Sequence, residues 1–226
     1  MDSLLSILIW LPIFGAGAVL LIGNNRSQLA RWVSAGISIL VFLLSINLFL
    51  DFDTNTSSMQ FVEKMSWISQ FNIFYHLGID GISMPLIILT TFSTILVIIA
   101  GWEVIKNRVA DYMAAFLMME GIIIGVFSAM DSMLYYVFWE ASLIPMLLII
   151  GVWGGQNRVY ASIKFFLYTF AGSVLMLVGI LWLGLQYGSF DLVQLTANAA
   201  IPAAAQLWLF AAFGLAFAIK VPMFPL

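Results

Sequence analysis

The sequence predicts an all-α protein that crosses a membrane several times. Of its 226 residues, 63% are hydrophobic and only 8% are charged, whereas roughly a quarter of the residues of a soluble domain are charged. The apolar residues form continuous runs close to the ~20 residues that a helix needs to cross a bilayer core. Only helices and closed barrels satisfy their backbone hydrogen bonds in lipid, and a barrel would need ~10-residue alternating segments. The predicted fold is therefore a single transmembrane domain, residues 1–226, of about seven helices.

The apolar runs define the predicted helices and one long outer-side connection, residues 51–79. The first run could imitate a signal peptide, because AGA at Ala16–Ala18 resembles a cleavage site. The residues before it carry Asp2 and no Lys or Arg, so it is predicted to be a helix. In the connection, DTNTSS is typical of an exposed turn, and FNIFYH is predicted to form a short strand or hairpin at the membrane surface. The predicted helices span residues 4–23, 30–50, 79–102, 112–130, 134–153, 163–187 and 204–226.

Basic residues concentrate in alternate connections, and this predicts the orientation of the chain. The connections that follow the first, third and fifth helices share the basic residues Arg26, Arg31, Lys106, Arg108, Arg158 and Lys164. The opposite connections carry Lys64 together with the acids Asp51, Asp53, Glu63, Asp131 and Asp191. The positive-inside rule places the basic connections in the cytoplasm and the N-terminus on the outer side.

Glu140 is the one acid of the segment LYYVFWEASLIPMLLIIGVW. Counted at ~1.5 Å per residue from Asp131, it lies roughly 14 Å deep, near the middle of a ~30 Å core. A charged carboxylate is unfavourable there without a cation or water, and acids at this depth usually mark ion paths. Pro145 has no N–H for the carbonyl of Ala141, which can therefore hold water beside Glu140. We predict a role in proton movement; the alternative is a neutral acid that only packs helices.

Lys220 lies in the last apolar run, within LAFAIKVPMFPL. It stands ~21 Å along the seventh helix if that helix begins at Gln206. Pro222 and Pro225 both remove backbone hydrogen bonds, so the helix is predicted to be broken there. Transporters use such breaks at ion sites, and a buried lysine can hold and pass a proton. The alternative is a lysine that snorkels to the cytoplasmic headgroups.

Four further polar residues are weaker candidates. Glu120, in LMMEGIIIGVF, is also near mid-membrane and is either a second relay acid or a hydrogen-bonded packing residue. Lys164 opens the sixth helix and either faces inward or, as is commoner, snorkels. Asp131 is predicted to cap the helix that follows it. His76, the single histidine, is predicted to be a hydrogen-bonded structural residue.

The sequence lacks the motifs of several kinds of chemistry. It contains no cysteine, and it has no phosphate-cradling glycine loop, nucleotide fingerprint or Cys/His metal cluster. We therefore expect the chain to bind no cofactor, metal or nucleic acid and to do no redox chemistry itself.

Four segments resemble subunit M of respiratory complex I, an antiporter-like membrane subunit of NADH–quinone oxidoreductase. They are HLGIDGISMPLIILTTF, GVFSAMDSMLYYVFWEASLIPMLLIIGVWGG, YASIKFFLYTFAGSVLMLVGIL and AFAIKVPMFPL. The resemblance runs across essentially the whole chain, and the FWE…LIPM…WGG block is its most specific part. Subunit L and sodium/proton antiporter subunits share the fold but usually differ around that glutamate.

The resemblance implies that this chain is the N-terminal half of an antiporter-like fold of about fourteen helices, built largely from two inverted repeats. Glu140 matches the family's glutamate on the fifth helix, and Lys220 matches its lysine on the broken seventh helix. In the family these two residues form an ion pair whose coupling gates proton movement. The family usually continues beyond Leu226 into the second repeat, which carries further lysines.

The function that the resemblance implies is proton translocation in the bacterial inner membrane, with a periplasmic N-terminus. NADH oxidation and quinone reduction then occur in other subunits, which carry FMN, iron–sulfur clusters and the quinone. The expected partners are the lipid bilayer and the neighbouring antiporter-like subunits L and N. Alternatives are a subunit of a cation/proton antiporter or of a membrane-bound hydrogenase of the same superfamily, and a scaffold whose buried acids only pack helices.

Overall fold

The computed structural model describes residues 3–198 and 200–223. Most of this part of the chain is helical, and one β-hairpin lies between the second and third helices. The helices are α1 (Leu4–Ile22), α2 (Ser27–Leu50), α3 (Ser83–Val104), α4 (Val109–Ser128), α5 (Ser132–Ala141), α6 (Leu143–Trp153), α7 (Arg158–Tyr187), α8 (Leu192–Asn198) and α9 (Ala203–Lys220). The strands are β1 (Gln60–Ile68) and β2 (Ile73–Ile79).

Seven helical segments in the described part of the chain are long and apolar enough to cross a membrane, which confirms the predicted fold class. The fifth of these segments, Ser132–Trp153, consists of α5 and α6 together. The seventh helix, α9, ends at Lys220, and a turn at Val221 and Pro222 follows. The helix therefore stops where the first proline was predicted to break it, while Pro225 lies outside the described residues.

One compact unit contains α1 to α4, in the residues up to Glu63 and in Leu77–Ala129. Within this unit α1 packs along α4, and α2 packs along α3. The core holds Ala16, Val19, Ala30, Ile98, Val109, Ala110, Met113, Ala114 and Leu117. Small residues allow close contact: a Cβ on Gly121 would stand 2.3 Å from the carbonyl oxygen of Ile9. Helices in membranes associate through such small residues, because lipid offers little hydrophobic drive for helix pairing.

The N-terminus of α1 is capped by a residue from far along the chain. The Glu63 carboxylate on β1 accepts hydrogen bonds from the backbone N–H of Leu5 (2.8 Å) and of Ser6 (3.2 Å). It also accepts a hydrogen bond from the hydroxyl of Ser6. The first N–H groups of a helix have no partner within the helix, and a carboxylate there also interacts favourably with the helix dipole.

A second compact unit contains Lys64–His76 and the residues from Met130 onward. Its α7 packs against both α6 and α9. The core holds Ile73, Tyr136, Met176, Ile180, Phe190 and Ala216. Glycines again mark the close approaches on α7: a Cβ on Gly172 would stand 2.6 Å from Ile219, and one on Gly179 would stand 3.0 Å from Phe213.

The long connection between α2 and α3 forms the β-hairpin that FNIFYH predicts, and the hairpin is longer than that segment. Strands β1 and β2 pair with each other in a two-stranded sheet. The turn between them contains Asn72 with a φ of 54°, in the left-handed region that asparagine tolerates better than most residues.

Candidate functional site

Glu140 lies at the point where the fifth span is interrupted. Helix α5 ends at Ala141 and α6 begins at Leu143, and Ser142 between them keeps helical dihedral angles and donates its N–H to the carbonyl of Phe138. Pro145 explains the interruption, because it cannot donate to the carbonyl of Ala141 and its ring crowds that turn. The acid therefore sits next to a stretch of backbone whose hydrogen bonding is incomplete.

Ser142 receives the ammonium of Lys220. The Nζ atom of Lys220, at the end of α9, donates to Ser142 Oγ at 3.0 Å, and that hydroxyl donates to the carbonyl of Trp139 at 2.7 Å. Nζ also lies 4.7 Å from the centroid of the Trp139 ring, within the range of a cation–π interaction. Phe217 on α9 meets the same indole edge-on, with ring centroids 5.6 Å apart. The lysine is thus docked on the turn that follows Glu140.

The arrangement leaves Glu140 and Lys220 close but not in direct contact. The ion pairs between described residues join Asp191 to Lys64 and Arg108 to Asp111, and the His76 imidazole lies beside Asp191. None joins Glu140 to Lys220, although the two charges interact electrostatically. One carboxyl oxygen of Glu140, Oε1, is buried without a hydrogen-bond partner in the described structure. The lysine ammonium therefore donates to the serine hydroxyl, and Oε1 of Glu140 remains available to accept a hydrogen bond.

Helix α7 fixes the other wall of this site. Ser173 is buried, and it interacts with the Glu140 side chain from α7. The preceding residue, Gly172, lets Ile219 of α9 approach closely, and Lys220 comes next in the chain. One glycine–serine pair on α7 thus contacts the lysine-bearing end of α9 and lies beside the acid.

The other predicted residues lie elsewhere. Glu120 is buried in the α1–α4 unit, and neither of its carboxyl oxygens has a hydrogen-bond partner in the described structure. Lys164 is exposed on α7, with Nζ 5.8 Å from the centroid of the Tyr160 ring. Neither residue belongs to the group formed by Glu140, Ser142, Trp139 and Lys220.

Asp131 has the capping contact that the sequence predicts, and His76 lies beside an acid. Asp131 caps α5 by accepting from the N–H groups of Met133 (2.9 Å) and Leu134 (3.2 Å), and it also accepts from the N–H of Phe74. His76 Nδ1 lies 3.1 Å from Asp191 Oδ2. Asp191 also binds Lys64 at 3.0 Å. No group of three or more His, Cys, Asp or Glu suited to a metal ion occurs in the part of the chain that the structure describes.

Sequence reasoning missed Ser142, Trp139 and Ser173. The signal for Ser142 was present, because it stands three residues before Pro145 and two after Glu140 in FWEASLIP. Residues two apart do not face one another on a helix, so this spacing alone did not single out Ser142. Nothing local marks Ser173, since a serine in a membrane helix commonly bonds its own backbone, as Ser173 Oγ does to the carbonyl of Phe170.

Together, these features define a class: a multi-pass helical membrane protein with an acid, a hydroxyl and a lysine at an interrupted span. Residues 7–128 match the family profile described as "NADH-ubiquinone oxidoreductase chain 4, amino terminus". Residues 129–226 match the profile described as "NADH:quinone oxidoreductase/Mrp antiporter, TM". The chain therefore belongs to the subunit M, or chain 4, family of NADH-quinone oxidoreductases, and the resemblance found in its sequence is confirmed.

Individual relatives agree with this assignment. NADH-quinone oxidoreductase subunit M of Rhodobacter capsulatus is 43% identical over 241 aligned positions, which cover 100% of this chain and 46% of that protein. NADH-ubiquinone oxidoreductase chain 4 of Arabidopsis thaliana is also 43% identical, with 98% of this chain and 45% of that protein covered. The chain thus spans just under half the length of these relatives.

Solved structures show the same fold. A chain of respiratory complex I from Thermus thermophilus with bound NADH matches 98% of this chain and 44% of its own length, at a TM-score of 0.85 and 30% identity. A chain of the Mrp complex from Dietzia sp. DQ12-45-1b covers 96% of this chain at a TM-score of 0.82 but only 14% identity. The latter likeness concerns the fold alone, so the antiporter alternative has less support than the complex I assignment.

Proposed function

We propose that the chain translocates protons as part of a membrane subunit of NADH-quinone oxidoreductase. Family membership supports the assignment to this enzyme, and one structural observation carries the mechanism. Lys220 is held by Ser142, directly beyond an acid that keeps an unpartnered oxygen, at an interrupted membrane helix. Ionisable groups at such depth are costly and usually serve ion movement.

The proposed mechanism uses the two charges as a gate. When the carboxylate of Glu140 and the ammonium of Lys220 approach one another, each favours the charged form of the other. When they separate, desolvation favours the neutral amine, and the proton leaves along buried polar groups and water. Ser142 serves as the resting partner of the ammonium in the separated arrangement. The two groups titrate as one coupled system, since each depends on the state of the other.

The energy for this cycle is proposed to come from outside the chain. NADH oxidation and quinone reduction take place in other subunits, which hold FMN, iron–sulfur clusters and the quinone, and this chain binds none of them. The neighbours are the antiporter-like subunits L and N, within the bacterial inner membrane and with the N-terminus periplasmic. Glu120 and Lys164 are proposed as further proton carriers, of which Glu120 is the better placed because it is buried.

The test is proton pumping by inverted membrane vesicles that carry the full-length subunit with Glu140→Gln. Glutamine keeps the shape of the side chain but cannot carry the charge. We expect the rates of NADH-driven pumping and quinone reduction to fall together by about tenfold or more. A tenfold fall corresponds to an increase of ~1.4 kcal/mol in the activation free energy. The assembled complex should remain intact.

Glu103→Gln is the matched control, because Glu103 is an exposed acid near the end of α3. It should leave pumping unchanged. If Glu140→Gln pumps as well as the Glu103→Gln control, the acid only packs helices and the proposal is wrong.

A further inference from the structure

Glu120 occupies a place where a membrane helix normally carries an apolar residue. It lies on one face of α4 together with Met113, Leu117, Ile124 and Ser128, at spacings of three and four residues. Every member of this stripe is buried, and Glu120 itself is only 1% exposed. Both of its carboxyl oxygens lack a hydrogen-bond partner in the described structure. A carboxylate in such a place has no protein donor among the described residues to stabilise its charge.

The basic residues of the same unit lie too far along the helices to neutralise it. Arg26 and Arg31 stand near the start of α2, where Arg31 donates to the carbonyl of Ile105. Lys106 and Arg108 belong to the connection between α3 and α4, and Arg108 pairs with Asp111. Glu120 lies ~16 Å further along α4 from Val109. An isolated charge buried so deeply is far less stable than the neutral acid.

Helix α1 brings to this interface a carbonyl that lacks its usual helical donor. Its carbonyl at Ile9 lies so near α4 that a Cβ on Gly121, the neighbour of Glu120, would stand 2.3 Å away. The preceding residue, Leu8, is also fully buried. Pro12 lies inside α1 and has no N–H to donate to the carbonyl of Leu8. A buried carbonyl without its helical donor therefore lies in the contact between α1 and the Glu120 region of α4.

We propose that Glu120 holds a proton at rest and that it, with the Leu8 carbonyl as acceptor, forms a second proton-binding site in the α1–α4 unit. A neutral acid satisfies both observations, because its O–H is a donor and the carbonyl that Pro12 frees needs one. This site uses neither Glu140 nor Lys220. Its release of the proton during turnover rests on the proposed function, whereas its protonation at rest does not.

The first measurement compares the infrared spectra of the intact complex carrying the wild-type full-length subunit and its variants. A protonated carboxylic acid has a C=O stretch that a carboxylate lacks. This band should disappear in Glu120→Gln and move in Glu120→Asp, while Glu103→Gln should leave it unchanged. If no protonated-acid band depends on residue 120 in either variant, the proposal is overturned.

Two further measurements test the acceptor and the turnover. Pro12→Ala restores an N–H for the Leu8 carbonyl, so the Glu120 band should shift in frequency; an unchanged band rejects Leu8 as the acceptor. Addition of NADH to the wild type should change the intensity of the band. Suppose that NADH leaves the Glu120 band unchanged and that Glu140→Gln abolishes pumping. Glu120 would then not belong to the proton path, and the proposed function would still hold. Normal pumping by Glu140→Gln would reject the proposed function without affecting the resting band.

Discussion

Lys220 shows how a single cation can be held in an apolar span without a direct counter-charge. Its ammonium has the Ser142 hydroxyl at 3.0 Å and the Trp139 ring face at 4.7 Å. Both contacts are neutral, so they stabilise the ammonium less than a carboxylate at contact distance would. A group held in this way can change partners at a modest cost, which suits a gate better than a locked ion pair.

At the same scale, His76 and Asp191 form a buried pair whose titration can be predicted. Burial lowers the pKa of His76 below its usual 6.5, although the charge of Asp191 opposes the shift. Burial alone would raise the pKa of Asp191, but hydrogen bonds from Lys64 and from the backbone of Gln194 hold it below the usual 3.8. The resting pair is therefore a neutral imidazole beside a carboxylate.

This pair predicts that the fold loses stability in mild acid. Between the folded pKa of His76 and 6.5, the unfolded chain binds more protons, so the free energy of unfolding rises with pH. The contribution of His76 is complete above 6.5 and is lost as the pH falls through the folded pKa. Thermal unfolding of the purified protein between about pH 8 and about pH 5 measures the slope. His76→Asn, which cannot titrate, should flatten it; an equal slope in both proteins would contradict the assignment.

Sequence reasoning found the residues of the site whose chemistry conflicts with their surroundings. Glu140 and Lys220 are charged groups in apolar runs, so composition alone singles them out. Ser142 and Trp139 are ordinary residues of a membrane helix. They belong to the candidate site because they contact Lys220, which follows Ser142 by 78 residues in the sequence. That contact depends on how α7 and α9 pack, and no local pattern encodes it.

At the scale of the helices, the apolar runs predict the spans well because lipid imposes both length and composition. The sequence also indicates the disturbed turn at Pro145, where the structure divides the fifth span, Ser132–Trp153, into α5 and α6. The hairpin is only partly predicted, since β1 carries Glu63 and Lys64 and lacks a clear alternating pattern. Its charged side chains are explained by the α1 N-terminus and by Asp191, contacts that are distant in sequence.

Packing of α1 on α4 gives a prediction for the helices themselves. Gly121→Ala places a methyl group against the backbone oxygen of Ile9, which cannot move aside as a side chain could. We expect a loss of about 1–3 kcal/mol in the free energy of unfolding. Gly17→Ala on the exposed face of α1 meets nothing within 4 Å, so the better helix propensity of alanine should make it neutral or slightly stabilising. Unfolding of both variants in detergent provides the comparison, and equal stability would show that α1 can move away from α4.

At the scale of the whole molecule, the two acids proposed to carry protons lie in different compact units, the buried Glu120 in one and the half-buried Glu140 in the other. Only the acid of the second unit has a lysine beside it. The two acids therefore have different surroundings: Glu120 lies among buried residues of α4 that are mostly apolar, whereas Glu140 lies near the serine that accepts from Lys220.

The orientation of the whole chain can be tested with introduced cysteines, because the sequence has none of its own. Thr54 and Asn157 are both exposed and lie in connections of opposite predicted sidedness. In spheroplasts that carry the full-length subunit, a membrane-impermeant maleimide should label Thr54→Cys and should reach Asn157→Cys only after permeabilisation. The reverse pattern would show that the basic connections face outward.

The cap on α1 has a consequence for the order in which the protein is made. Glu63 follows Leu5 by 58 residues, so a ribosome completes α1 and α2 before the acceptor for the first N–H groups exists. During that interval the start of the first helix depends on water or lipid headgroups for its hydrogen bonds. The N-terminus of α1 therefore gains its cap only when β1 emerges. Insertion of the first two spans precedes folding of the hairpin, and the hairpin then completes the hydrogen bonding of α1.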